Sequence, residues 1–196
     1  MASLFDTLQA GAQRAGVQAR TKDSQKWFRK KAQELVMPNR KALLKDDALE
    51  RTGRNIRGNM YMYFYDPKFK ETLPYYDRFP LTIMIDPAPG GFYGLNLHYL
   101  NYPVRARFLD ELMNLAPNNV KDTTRLVKLR YDLLQSVKKY KEFKPCFKHY
   151  LGKHVVSQFS RVPMTDWEIA IFLPVEQFKK KSKTSIWNES LKIARS

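Results

Sequence analysis

The sequence predicts an α+β fold in which a small antiparallel sheet or partial barrel, about residues 60–100, is flanked by amphipathic basic helices. Three observations lead to this prediction. Residues 60–102 are rich in aromatic side chains and punctuated by Pro and Gly, which is typical of short strands joined by turns. On both sides, apolar residues recur at helical spacing among many Lys and Arg. A hydrophobic fraction of 43% is enough to form a core.

The central block predicts three strands. Residues 60–65 form the first and end at an Asp-Pro turn, residues 79–85 form the second, and residues 92–100 form the third. Their β-branched and aromatic side chains favour strands. The intervening DPAPGG sequence of residues 86–91 predicts a turn, so the second and third strands should form a hairpin.

Helices are predicted before and after this block. Residues 22–37 alternate apolar and basic positions at helical spacing and are stopped by Pro38. Further helices are predicted for residues 103–117, for residues 122–140 and for the segment after Ser185. Each has a stripe of apolar side chains that a core could bury.

The segment between the last two predicted helices carries weaker and partly conflicting patterns. Residues 145–151 predict a short apolar turn, and residues 155–159 predict a strand. Residues 165–173 alternate like a strand, but Thr165 and Glu168 have the spacing of a capping box, which favours a helix.

Four segments are predicted along the 196 residues. The N-terminal one carries Gly11 and Gly16, so we expect it either to order against a partner or to fray, with Ser3 as a possible helix cap. Arg51, Arg54 and Arg57 would project from one side of a helix. The segments are an N-terminal arm (1–20), a basic helical segment (21–58), an α+β core (59–178), and a basic linker with a C-terminal helix (179–196).

The charge is high and unevenly distributed. The formal net charge is +16, of which residues 1–57 carry +7, residues 58–120 carry −1 and residues 121–196 carry +10. Such a chain suits a polyanion or an acidic protein surface. The candidate contacts to a DNA backbone or an acidic partner are Lys26, Arg29, Lys30, Lys31, Arg51, Arg54, Arg57, Lys179, Lys180, Lys181 and Lys183.

The aromatic side chains of the central block are the second set of candidates. Tyr and Phe are enriched at protein–protein interfaces, and aromatic faces can also stack nucleic-acid bases. Packing in the core would produce a similar composition. The candidate interface residues are Tyr61, Tyr63, Tyr65, Tyr75, Tyr76, Phe92 and Tyr93.

Catalytic and metal motifs are weak. No nucleophile elbow, phosphate-binding loop or dinucleotide fingerprint occurs, so we expect no enzyme activity and no cofactor. Cys146, His149 and His154 lie within nine residues, but they are too few for a structural zinc site. A nuclease would need carboxylates that converge on a metal. Its candidates are Asp66, Asp77, Asp86 and Glu142, although Asp is also a common turn residue.

The sequence also indicates the cellular compartment in which we expect the protein. A single cysteine excludes an internal disulfide and fits a reducing environment. No apolar run approaches the length of a membrane span, and no secretory signal is predicted.

Several phrases of the chain resemble a family of small proteins encoded by large contractile-tailed, T-even-like bacteriophages. The phrases are residues 21–28 (TKDSxxWF, where x is any residue), 65–68 (YDPK), 73–81 (LPYYDRFPL), 91–100 (GFYGLNLHYL) and 144–150 (KPCFKHY). The resemblance covers most of the chain. It implies a protein of the virion or of virion assembly, in the tail and baseplate, at the neck, or at the packaged DNA end.

These observations lead to one principal hypothesis and two alternatives. The principal hypothesis is a non-enzymatic structural component of a phage virion, made in the host cytoplasm, that contacts other virion proteins within a symmetric assembly. The first alternative is a sequence-tolerant DNA-binding protein that acts at packaged genome ends. The second is a metal-dependent nuclease.

Overall fold

The computed structural model describes residues 3–114 and 141–195, and these ranges contain six α-helices and eight strands. None of the described helices has the length and apolar character that a membrane span requires. The predicted helix at 122–140 lies outside the described residues. The helices are α1 (Leu4–Arg14), α2 (Lys22–Glu34), α3 (Arg40–Leu43), α4 (Tyr102–Asn114), α5 (Trp167–Ala170) and α6 (Lys183–Arg195). The strands are β1 (Glu50–Thr52), β2 (Met60–Met62), β3 (Tyr76–Asp77), β4 (Leu81–Ala88), β5 (Gly91–Asn96), β6 (Phe147–Leu151), β7 (Phe159–Val162) and β8 (Phe178–Lys179).

Six strands form one antiparallel sheet in the order β1-β7-β2-β4-β5-β6, and β3 pairs with β8 in a separate ribbon. The sheet curls because the chain after β6 returns to the continuation of β2, where Tyr65 and Val155 form a β-bridge. Backbone hydrogen bonds from Asp66 to His154 and from Val156 to Phe64 extend this contact. The predicted α+β class and the partial, curled antiparallel sheet are confirmed.

Side chains alternate between the two faces of the sheet, and both faces are buried. Met60 and Met62 of β2 and Ile83 of β4 belong to the main core, which also contains side chains of all six helices. The opposite face carries a separate group of large side chains that we call the aromatic cluster. Its members are Tyr61, Tyr63, Tyr65, Met84, Phe92 and Tyr150.

Helix α1 packs against its own chain. The Ser3 hydroxyl accepts hydrogen bonds from the backbone N–H groups of Phe5 and Asp6, which confirms the predicted cap. Phe5 is fully buried and Leu8 nearly so, both in the main core. The expectation that this segment orders only against a partner, or frays, is therefore wrong, because burial of these two side chains outweighs the cost of Gly11 within the helix.

Helix α2 is confirmed but ends earlier than predicted. Thr21 and Ser24 form a reciprocal capping box at its start, and Phe28 and Ala32 are buried on its inner face. The helix stops at Glu34, and Val36 is 93% exposed. Val36 is therefore not part of the apolar stripe.

The arginines at 51, 54 and 57 do not lie on a helix. Arg51 is in β1 at the edge of the sheet, and Arg54 and Arg57 follow in turns. The three-residue spacing of these arginines does not reflect a helix, because Glu50 to Thr52 pair with β7. Helix α3 lies before them and is capped by Asn39.

The later strands also shift from their predicted bounds. The third predicted strand ends at Asn96, whose side-chain oxygen accepts a hydrogen bond from the His98 N–H and starts a 3-10 helix at Leu97–Tyr99. Residues 145–151 do not form a turn, since β6 pairs along β5. The strand predicted at 155–159 lies instead at Phe159–Val162.

The helix favoured at 165–173 is confirmed, since a 3-10 turn at Met164–Asp166 leads directly into α5. Its predicted capping box does not form. The Glu168 carboxylate instead accepts hydrogen bonds from the Ser24 hydroxyl and the Arg20 backbone N–H, and so joins α5 to α2.

A buried arginine joins α4 to the elements around it. Arg105 is fully buried, and its guanidinium donates hydrogen bonds to the backbone oxygens of Leu100 (2.7 Å), Ile171 (2.9 Å) and His98 (3.2 Å). Three carbonyl acceptors satisfy most of the donor fork. This contact fixes the 3-10 helix that carries His98 and Tyr99, both of which belong to the site described next.

Candidate nucleic-acid interface

An open cleft of about 520 Å³ lies beside the aromatic cluster. Its walls are mostly aromatic, and the polar groups on them are mainly basic. We call it the aromatic–lysine cleft. It is lined by Tyr65, Pro67, Lys68, Phe69, Leu73, Tyr75, Tyr76, Asp77, Tyr99, Lys148, His149, Tyr150 and Leu151.

Strand pairing brings distant parts of the sequence to this cleft. Strand β3 places Tyr76 and Asp77, and it is held by β8, in which Lys179 is paired with Tyr76. Strand β6 places Lys148 and Tyr150, and it is held by β5, in which Gly94 is paired with Lys148. The two walls therefore come from segments about 70 residues apart in the chain.

Lys148 is the central cation of the cleft. Its ammonium nitrogen lies 4.0 Å from the centroid of the Tyr99 ring, a cation–π contact. Burial lowers the pKa of Lys148 from its usual value. Within the described residues Lys148 forms no salt bridge, although the carboxylate of Glu189 interacts with its ammonium electrostatically.

Lysines of the β8–α6 connection form the rim. Lys180 has a left-handed backbone (φ 71°), and its ammonium donates hydrogen bonds to the carbonyl oxygens of Glu71 (2.7 Å) and Leu73 (2.9 Å). The Lys181 ammonium lies 4.7 Å from the centroid of the Tyr75 ring and forms an ion pair with Glu189 at 2.7 Å. The rim therefore holds the 71–75 loop in place.

Asp77 forms the floor of the cleft, and each of its carboxylate oxygens has two polar partners within the chain. One oxygen accepts hydrogen bonds from the backbone N–H groups of Phe79 and Gln177, both at 3.0 Å. The other lies 2.7 Å from His98 Nδ1 and 3.1 Å from Asn96 Nδ2. Burial alone would raise the pKa of Asp77, but His98 and these hydrogen bonds lower it below its usual value. Asp77 is thus a structural carboxylate.

The predicted aromatic candidates divide into buried and half-buried side chains, and Tyr65, Tyr75 and Tyr76 among them line the cleft. Four of them belong to the aromatic cluster and are at most 7% exposed, so their rings mainly pack within the chain. The remaining three are half-buried, and Tyr93 among them stacks on Phe147 at 5.2 Å. The buried four are Tyr61, Tyr63, Tyr65 and Phe92, and the half-buried three are Tyr75, Tyr76 and Tyr93.

The predicted basic candidates lie on several surfaces. Lys26, Arg29 and Lys30 occupy the exposed side of α2, and Lys26 approaches Asp23 at 3.8 Å. Lys31 forms an ion pair with Glu34. Along the chain before β2, Arg51 and Arg54 are exposed and Arg57 forms an ion pair with Asp86 at 3.3 Å.

The lysine run at 179–183 is split. Lys179, Lys180 and Lys181 are joined to the cleft as described above. Lys183 instead begins α6 and lies 3.0 Å from a carboxylate oxygen of the buried Glu176.

The described metal and nuclease candidates do not converge, and the side chain of Glu142 lies outside the part of the chain that the structure describes. Asp66 pairs with Lys70, Asp86 with Arg57, and Asp77 is used internally. Cys146 is fully buried and donates its S–H to the Phe143 carbonyl at 2.9 Å. No group of three or more potential metal ligands occurs among residues 3–114 and 141–195.

Sequence reasoning missed several cleft residues. Lys68, Phe69, Tyr99 and Lys148 line the cleft but were not candidates. Lys148 belongs to the KPCFKHY phrase, where aromatic and basic side chains alternate closely. That mixture is a usable signal for nucleic-acid contact, because aromatic faces stack bases and ammonium groups attract phosphates.

Comparison with known proteins supplies the family. The family model described as "Phage T4 terminal DNA protecting protein" matches residues 2–191. No curated protein and no solved structure matches the chain. The resemblance to proteins of T-even-like phages is confirmed by this match. Because it spans nearly the whole sequence, the chain belongs to the family of the phage T4 terminal DNA protecting protein.

Proposed function

We propose that this protein binds the ends of linear DNA and shields them from exonucleases. The observation that carries the proposal is the family match over residues 2–191. The net charge of +16 and the aromatic–lysine cleft support it, since both suit a polyanion with accessible bases. The proposal extends the first alternative from the sequence, a sequence-tolerant DNA-binding protein that acts at packaged genome ends.

Protection would act by occupancy. A bound protein covers the terminal phosphates and bases, so an exonuclease cannot engage the end. No bond in the DNA needs to be made or broken, and the proposal assigns no catalytic residue. A role in the tail or baseplate receives no support from the family, whereas carriage with the DNA in the particle is compatible with it.

Titration of an exonuclease assay tests the proposal. Linear duplexes of two lengths are mixed with the protein and then digested with a duplex-specific exonuclease. We expect full protection at the same number of protein molecules per DNA end for both lengths. Protection that requires protein in proportion to DNA length would contradict end binding and would indicate general coating.

A matched substrate controls for inhibition of the nuclease itself. A duplex with both ends closed by hairpin loops is nicked once and digested by an exonuclease that starts at nicks. End binding predicts no protection of this substrate at the concentration that protects the linear duplex.

A further inference from the structure

We infer that the aromatic–lysine cleft holds an unpaired terminal nucleotide of the DNA, with the base against the aromatic walls and the phosphate beside the lysines. The inference rests on the proposed function and deepens it, because it names the part of the DNA end that is recognised. It predicts that the protein distinguishes frayed or overhanging ends from perfectly paired ones.

The walls of the cleft offer ring faces to a base. Phe69 is 59% exposed although it is large and apolar, and Lys68 lies 5.1 Å from its ring centroid. On another wall, Tyr75 is half-buried, and behind it lies the Tyr99 ring, which is 5% exposed and is covered by Lys148. An exposed aromatic side chain that lines a cleft is a stacking platform for any base, since every base has a π face.

The charge of the cleft selects an anion. Lys68 and Lys148 line it, and Lys180 and Lys181 hold its rim. The single carboxylate among the described lining residues is Asp77, which is buried and fully hydrogen-bonded. A phosphate beside Lys148 would form a direct ion pair with this ammonium, which makes no salt bridge among the described residues and interacts with Glu189 only electrostatically.

The size of the cleft suits one nucleotide. Its volume of about 520 Å³ lies within the range of roughly 300–1,000 Å³ that is usual for small-ligand sites. A base pair in a stack presents only its edges, whereas an unpaired base presents both faces. The terminal nucleotide of a linear DNA is the one most easily unpaired, so end recognition and an aromatic cleft have a common physical basis.

Fluorescence of a terminal base analogue tests the inference. The probe is a duplex closed by a hairpin at one end, with one unpaired 2-aminopurine nucleotide at the open end, in 3′ and 5′ versions. Stacking on tyrosine or phenylalanine should quench the fluorescence of one version on binding. Affinity should exceed that of the blunt duplex by about tenfold, and an abasic overhang should lose this gain. Unchanged fluorescence in both versions would overturn the inference.

Variants locate the effect in the cleft. Phe69→Ala and Lys148→Met should each remove most of the overhang preference, measured as the ratio of the affinity for the overhang duplex to the affinity for the blunt duplex. Lys153→Met is the charge-matched control, since Lys153 is exposed on the 3-10 helix at Gly152–His154 and does not line the cleft. Because Phe69 is exposed, its variant should retain the wild-type melting temperature. Overhang preference that survives both cleft variants would refute the cleft as its source.

Two further arms separate the inference from the proposed function. A duplex closed at both ends has no free end, so the difference between its affinity and that of the blunt duplex measures end binding alone. If the blunt duplex binds better than the closed one but the overhang adds nothing, end binding stands and the inference fails. A free deoxynucleoside monophosphate should compete for the overhang duplex only at much higher concentration. Equal affinity for the monophosphate and the DNA would also overturn the inference.

Discussion

Asp77 shows how one residue can determine the shape of a site. It lies in a strand of two residues, yet it receives hydrogen bonds from Phe79, Gln177 and Asn96 and contacts His98. These partners lie on different segments of the chain. The carboxylate therefore compensates for a short strand that could not hold the floor of the cleft by itself.

Replacement of Asp77 should destabilise the protein. In Asp77→Asn, one oxygen becomes an amide donor that faces the Asn96 amide or the backbone N–H groups, and the interaction with His98 weakens. We expect the free energy of unfolding to fall by about 2–5 kcal/mol, measured by urea denaturation. Asp66→Asn is the control, and little change is expected because its ion pair with Lys70 is solvent-exposed.

The same variant should alter the response to acid. Because the pKa of folded Asp77 is lowered, its contribution is complete above the unfolded value of about 3.9 and is lost as the pH falls through the folded value. The difference in stability between wild type and Asp77→Asn should therefore shrink below about pH 4. A difference that stays constant from pH 7 to pH 3 would refute this.

At the scale of elements, the sheet depends on close approach of three strands. Strand β5 lies between β4 and β6, and its glycines lie at points where a side chain would collide with a neighbour. A Cβ at Gly91 would lie 1.8 Å from the Tyr150 carbonyl oxygen, which is backbone and cannot rotate away. The position of β6, and of Lys148 on it, thus depends on the absence of a side chain at Gly91.

Gly91→Ala should disrupt the pairing of β5 with β6. We expect a marked fall in melting temperature together with loss of the overhang preference, since both depend on β6. Gly53→Ala is the matched control, because a Cβ at Gly53 meets nothing within 4 Å. Equal melting temperatures for the two variants would contradict the strand geometry.

Helix α1 is the second element with a testable role. Phe5 is fully buried in the main core, so Phe5→Ala should cost about 3–5 kcal/mol of unfolding free energy. Gln13 is exposed on the same helix, and Gln13→Ala should have little effect. Chemical denaturation of both variants checks this, and similar midpoints would show that α1 does not belong to the core.

At the scale of the whole molecule, only some of the basic side chains lie at the aromatic–lysine cleft. The cleft holds one group of lysines, while Lys26, Arg29 and Lys30 form another on α2. Proteins that neutralise phosphates lose affinity steeply as salt rises, with a slope that reports the number of contacts. Salt dependence can therefore show whether α2 also touches the DNA.

We expect that it does. The triple variant Lys26→Ala, Arg29→Ala, Lys30→Ala should lower the slope of log affinity against log salt by up to about 3. The charge-matched control replaces Arg14, Lys41 and Lys192 with Ala, which lie on three other helices. Equal slopes for the two variants would mean that net charge, and not the α2 surface, determines binding.

The sequence was most informative where a structure is local. The β-branched run at residues 79–85 and the DPAPGG turn predicted the β4–β5 hairpin, and the Ser3 cap and the α2 periodicity predicted two helices. Strands β3 and β8 have two residues each and therefore no periodicity to detect. Their pairing across about 100 residues leaves no local signal.

The candidate site was predictable only in part for the same reason. Tyr75, Tyr76 and the lysines at 179–181 were separate candidates, and only the β3–β8 pairing brings them together. Lys148 was missed because its segment reads as an apolar turn until its pairing with β5 is known. The alternation of side chains along β2 could not predict which face of the sheet is exposed to solvent, because both faces are buried.

The buried thiol of Cys146 can report how often the surrounding part of the fold opens. Cys146 is the only cysteine, it precedes β6 directly, and burial raises its pKa to about 12. A thiol reagent can reach it only when this part of the fold opens, so the labelling rate measures the opening equilibrium. DNA held beside Lys148 should slow that rate, and labelling under native conditions would then follow occupancy of the cleft without any attached dye.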